Sequence, residues 1–200
     1  QFSKQRGHRQ ESFVLSLTHS DANAQLQYTL DGSAPSNSNS QTYSAPIIVD
    51  GTAVVRARAV RAFMSPSPVA THTFLFAGDT LAQTHAGVIA DGYPANWVEE
   101  DGTDWDLGGG RPGAWYGMDA TILASYPTAQ LQQALLSAPT VSLSMSPDDW
   151  FGDGSAGPIG GIYCNSEATG SAWQRSGSME WIDSHSSLEF GVDCGLSIQG

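Results

Sequence analysis

The chain has 200 residues, 40% of them hydrophobic, so it can bury one large or two small cores and wholesale disorder is excluded. Only 14% of residues are charged and Lys4 is the single lysine, while 22 glycines and 10 prolines favour strands, turns and long loops over helix surfaces. The net charge of −12 sets the chain against nucleic acid and anionic membrane surfaces, and no run approaches the roughly 18 apolar residues of a membrane-inserted helix.

From the start, short strands alternate with turn punctuation. Phe13, Leu15 and Leu17 share one face of the first, and Leu26, Tyr28 and Leu30 one face of the next. Asp31-Gly32 then predicts a turn. Pro46 to Val49 reads as a short strand closed by Asp50-Gly51. Ala53 to Arg61 reads as a longer one, with Val55, Ala57 and Ala59 on one face and Arg56 and Arg58 on the other. Thr71 to Phe76 completes the set, with Phe74 and Phe76 on one side. Five or more strands at this spacing predict a small antiparallel β-sandwich.

Composition changes sharply after Phe76. Six basic and four acidic residues precede Ala77, whereas two basic and sixteen acidic residues follow, which predicts a domain boundary near residue 77. Residues 77 to 120 show no clean period and read as a connector draped over a surface by tryptophans and Tyr116. Within it Asp101, Asp104 and Asp106, beside Glu99 and Glu100, are the candidate metal ligands. Their spacing departs from an EF-hand loop, and a solvated acidic loop is the simpler reading. Trp97, Trp105 and Trp115 are candidate sugar-stacking rings, with plain hydrophobic anchoring as the simpler alternative. Asp119 or Thr121 caps a short helix carrying Ile122 and Leu123, and a second helix runs from about Ala129 to Leu136 before Pro139 stops it.

From Thr140 the pattern returns to period two, with Val141, Leu143 and Met145 alternating with serines. A loop at Asp148 to Gly152 follows, then strands from Ser178 to Ile182 and from Phe190 to Ile198. Cys164 and Cys194 allow one disulfide, and two buried free thiols fit the pattern equally. The first residue is Gln1, no signal peptide is visible, and the alternation runs on to Gly200, so the expectation is a piece cut from a longer protein.

Two glycine runs, at Gly108/Gly110/Gly113 and Gly152/Gly154/Gly157, match a phosphate-loop spacing. Pro112 and Pro158 stand where the following helix must begin, so surface loop is the better reading. The five histidines, His19 and His72 among them, lack ligand spacing, and no nucleophile elbow is present. No catalytic residue is assigned.

The run Leu26-Gln27-Tyr28-Thr29-Leu30-Asp31-Gly32-Ser33-Ala34-Pro35 resembles the signature of the chitobiase/β-hexosaminidase C-terminal-type module. So do Tyr43 to Ile47, Val54 to Ala59, and Ser67-Pro68-Val69 before Thr71 to Phe74. This resemblance covers roughly residues 7–76 and implies an Ig-like sandwich acting as an accessory or spacer module. The later part is similar to the start of CotH-type kinase domains, on Pro139 to Met145, Asp148 to Phe151, Gly161 to Asn165, Trp173 to Arg175, Ser178 to Ile182 and Val192 to Gly200. Gln174 and Ser197 depart from the acidic and basic residues often found there.

Together the resemblances imply three segments: an Ig-like module at 7–76, a connector with one or two short helices at 77–138, and the first strands of an incomplete α+β kinase-like domain at 139–200. The chain is then the non-catalytic N-terminal portion of a secreted or cell-surface bacterial CotH-type kinase-like protein. ATP and a divalent metal are implied for the full-length protein only, with none in this span. The implied partners are the downstream kinase-like domain and a secreted or coat protein or polysaccharide, with no nucleic acid and no membrane insertion. The rival expectation is a carbohydrate- or protein-binding adhesion module.

Overall fold

The structure is a computed structural model that describes residues 1–95, 115–152, 160–163, 170–183 and 190–198. The fold is mainly β, built from antiparallel sheets with a few short helices. Its contacts divide it into two compact units. The first gathers Gln1–Ala77, Leu136–Ser146 and Ser176–Leu196, and the second Gly78–Leu135, Pro147–Arg175 and Ser197–Gly200.

In the first unit, seven strands come from the first 76 residues: β1 (Gly7–Arg9), β2 (Phe13–Leu15), β3 (Gln25–Thr29), β4 (Gln41–Thr42), β5 (Ile47–Val49), β6 (Ala53–Val60) and β7 (Ala70–Phe76). Five form a sheet in the order β1-β7-β6-β3-β4, and β2 pairs with β5 in a separate ribbon. The β3–β6 and β6–β7 pairings are antiparallel, whereas β1 joins β7 in parallel. The core lies between ribbon and sheet, where Leu15, Leu17, Ile47 and Val49 meet Val55, Ala57, Phe74 and Phe76. Phe13 stands edge-on to Phe74 at 4.9 Å between ring centres, with the Arg9 guanidinium 5.5 Å from the Phe74 ring centre. Each fully buried side chain of this size contributes about 1.5–3 kcal/mol.

Three later strands belong to the same unit: β8 (Thr140–Ser144), β9 (Arg175–Ile182, whose first residue belongs to the second unit) and β10 (Phe190–Leu196), in the order β10-β9-β8. β8 and β9 are antiparallel, pairing Val141 with Trp181, Ser142 with Glu180 and Leu143 with Met179. Ser142, Ser144, Ser178, Glu180 and Ile182 turn toward the five-stranded sheet, and Ser144, Ser178, Glu180 and Ile182 are buried.

This second layer covers the arginine-bearing face of β6 as well. Arg56 does lie opposite Val55 and Ala57, yet it is only 3% exposed. Period-two reasoning treats a face carrying arginines as solvated, but here the polar face is covered as well, and Thr29, Thr71 and Thr73 are buried on it.

In the second unit the helices are short: α1 (Ala77–Ala82, whose first residue closes the first unit), α2 (His85–Ala90), α3 (Ala120–Ser125), α4 (Thr128–Ser137, whose last residues also belong to the first unit) and α5 (Pro147–Phe151). α3 and α4 stand where the spacing places them, and Asp119 caps α3 by accepting a 2.7 Å bond from the Thr121 amide. α1 and α2 occupy part of the stretch read as periodless, and α5 replaces the loop expected at Asp148. Five or six residues are under two turns, too few to display a 3.6 period. Capping is what marks α2: the Thr84 hydroxyl accepts from the Gly87 amide at 3.1 Å. Among the described residues no helix is long and apolar enough to cross a membrane.

Candidate functional site

The signature turn is held together locally. Gly32 adopts φ +80°, a left-handed conformation that favours glycine, and its amide donates to the Val54 carbonyl at 3.1 Å. Asp31 Oδ1 accepts from the Ser33 amide at 3.0 Å and from the Ser33 hydroxyl at 2.6 Å, so the side chain closes its own turn. Thr29 Oγ1 donates to the Ser33 carbonyl at 2.6 Å. Arg56 ties this turn into the sheet, donating from Nη1 to the Gly32 carbonyl and from Nε to Thr71 Oγ1, both at 3.2 Å.

Beyond the turn a polar seam runs between β7 and the three-stranded sheet. Glu180 of β9 is 0% exposed. Its Oε1 lies 2.8 Å from Arg6 Nη1 and accepts from the Thr73 amide at 3.2 Å, while Oε2 accepts from Thr73 Oγ1. Thr73 Oγ1 also stands 2.8 Å from the Ser142 hydroxyl. At the edge, Arg56 Nη2 approaches Asp193 of β10 at 3.9 Å. A carboxylate is taken fully out of water only when charge and hydrogen bonds replace its solvent, and here the Arg6 charge and two hydrogen bonds from Thr73 do so.

A cleft of about 190 Å³ opens beside this seam, lined by Arg6, His72, Ser178 and Asp193 among others. His72 Nδ1 accepts from the Arg6 backbone amide at 2.9 Å, and its ring stacks on Phe2 at 4.3 Å. Burial, then the Arg6 guanidinium, then the terminal ammonium push the His72 pKa down to about 4. His72 is therefore a neutral acceptor at pH 7, and its hydrogen bond assigns the proton to Nε2. The arrangement holds strands together; it pairs no nucleophile with a base.

The residues named from sequence fall elsewhere. Trp115 is 59% exposed in the second unit and stacks on His85 at 5.2 Å between ring centres and 10° between planes, with Tyr116 stacked on the same histidine at 5.6 Å. Cys194 stands half-buried on β10 as a free thiol among the described residues. Cys164, Trp97, Trp105, Asp101, Asp104 and Asp106 lie outside the described residues, as do most glycines of the two phosphate-loop matches. Among the described residues no three His, Cys, Asp or Glu side chains converge as metal ligands would. Sequence reasoning missed Glu180, Arg6 and Thr73 as a group, because Glu180 and Thr73 are 107 positions apart. The usable signal was a lone glutamate in a strand whose residues after Arg175 are otherwise apolar or small, at a position facing inward.

The family model described as Fn3 associated matches residues 15–74, under a third of the chain. No curated protein and no solved structure matches the chain. In sequence pattern and in fold, residues 15–74 make an Ig-like β-module of the Fn3-associated kind.

Proposed function

We propose that this chain is the non-catalytic portion of a secreted or cell-surface CotH-type kinase-like protein, and that its Ig-like module braces the opening strands of the kinase-like sheet. The observation that carries the bracing is Glu180, buried on β9 and gripped by Thr73 of the module and by Arg6 just ahead of it. The kinase-like identity rests on the resemblance of residues 139–200. Phosphoryl transfer needs a phosphate cradle, a metal and an acid that positions the hydroxyl. Among the described residues no three His, Cys, Asp or Glu side chains converge, and no catalytic step is assigned to this chain.

The test uses the natural full-length protein with ATP and Mg²⁺ or Mn²⁺. The proposal expects ATP binding, and phosphate transfer to itself or to a serine-rich partner that Glu180→Ala weakens along with thermal stability. Absence of ATP binding removes the kinase reading. Unchanged stability in Glu180→Ala removes the brace.

A second reading has its own observation. Trp115 presents a broad exposed ring backed by His85, an arrangement that suits stacking on a sugar face. Glycan-array binding that disappears in Trp115→Ala favours the adhesion reading, and a blank array counts against it.

A further inference from the structure

We propose that β8 is a self-association edge, through which two copies of this chain join their three-stranded sheets. β8 is the last strand of the order β10-β9-β8, so one row of its backbone donors and acceptors lacks a strand partner among the described residues. Natural edges are normally guarded by lysine, proline, inward charges or extreme shortness. β8 reads Thr-Val-Ser-Leu-Ser and has none of these guards. The other edges do: β10 carries Asp193 turned toward Arg56, β4 has two residues and β1 three.

The occupant is argued from the strand's own pattern. An antiparallel pair centred on Ser142 sets Val141 of one copy opposite Leu143 of the other, and Thr140 opposite Ser144. The apolar and polar faces therefore stay in phase, as a buried register requires. Val141 and Leu143 are 49% and 44% exposed, large values for residues flanked in register by Trp181 and Met179. Pairing converts them into a continuous apolar row, Trp181–Val141 of one copy running into Leu143–Met179 of the second. That row carries no charge, so two chains of net −12 meet at a neutral strip. The contact is isologous and uses up both β8 edges, and Asp193 discourages growth through β10, so association stops at two copies.

Sedimentation velocity on the whole chain over a wide concentration range tests this. The expected result is a reversible monomer–dimer equilibrium that Leu143→Lys and Val141→Lys each weaken by about tenfold or more, since each sets an unpaired ammonium in the apolar row. Both sites are half-exposed, so the thermal midpoint stays within a degree or two of the parent. The register is tested in a Cys164→Ser/Cys194→Ser background: Val141→Cys and Leu143→Cys cross-link on oxidation when mixed, and neither does alone. A monomer at every concentration, a dimer indifferent to both lysines, or cross-links indifferent to mixing overturns the proposal.

Discussion

At the residue scale, His72 gives the clearest consequence. Its folded pKa of about 4 lies below the ordinary value of 6.5, so the fold favours the neutral ring. The unfolded chain binds the proton first, hence stability is complete above about pH 6.5 and falls as pH drops toward 4. The shift corresponds to on the order of 3 kcal/mol across that window. Thermal melts between pH 7.5 and 4 should show this slope in the parent and a flatter one in His72→Gln, since both share all other titrations. An equal slope in both contradicts the assignment. Phe63 gives a second consequence: it is fully exposed at φ +63°, a conformation costly for a bulky side chain. Phe63→Gly relieves roughly 1–2 kcal/mol of strain and loses no burial, so denaturant melts should show a higher midpoint.

The turn at Asp31-Gly32 was legible because every contact it needs is local. Arg56 and Glu180 were not, because their burial depends on partners that pattern reasoning places on a different element. Alternation places Arg56 on the face opposite Val55 and Ala57, but says nothing of the second sheet that takes it out of water. The Trp115 stack lay between these cases: the ring was marked, its His85 backing was not.

At the element scale, β10 approaches the module closely at Gly191. A Cβ there would sit 1.9 Å from Arg6 Nη1. That atom ends a flexible side chain, but it is engaged with Glu180 and cannot move without breaking the pair. Gly191→Ala should therefore cost about 1–3 kcal/mol, and in Arg6→Ala the same substitution should cost much less. Additive losses in denaturant melts contradict this coupling. β2, β5, β6 and β7 were visible in outline from alternation because each buries one apolar face, whereas β8 shows the same alternation and buries its serine face instead. The helices α1, α2 and α5 were not, because a single turn and a half reveals capping but no period.

At the scale of the whole molecule, chain order and folding units part company. The module of residues 15–74 and strands β8 to β10 share one compact unit although the residues between them belong to another. What joins them is polar and directional. Removing one partner of a buried ion pair typically costs 3–5 kcal/mol, so Arg6→Ala and Glu180→Ala should each destabilise by about that much, and the double variant by far less than the sum. Nearly additive losses would mean the pair is not the brace.

Native-state hydrogen exchange tests the bracing claim most directly. If the module holds the three-stranded sheet, β6–β7 and β8–β9 amides open with one common free energy, and Thr73→Val lowers both sets together. Amides of β9 that exchange on their own, unmoved by Thr73→Val, would contradict it.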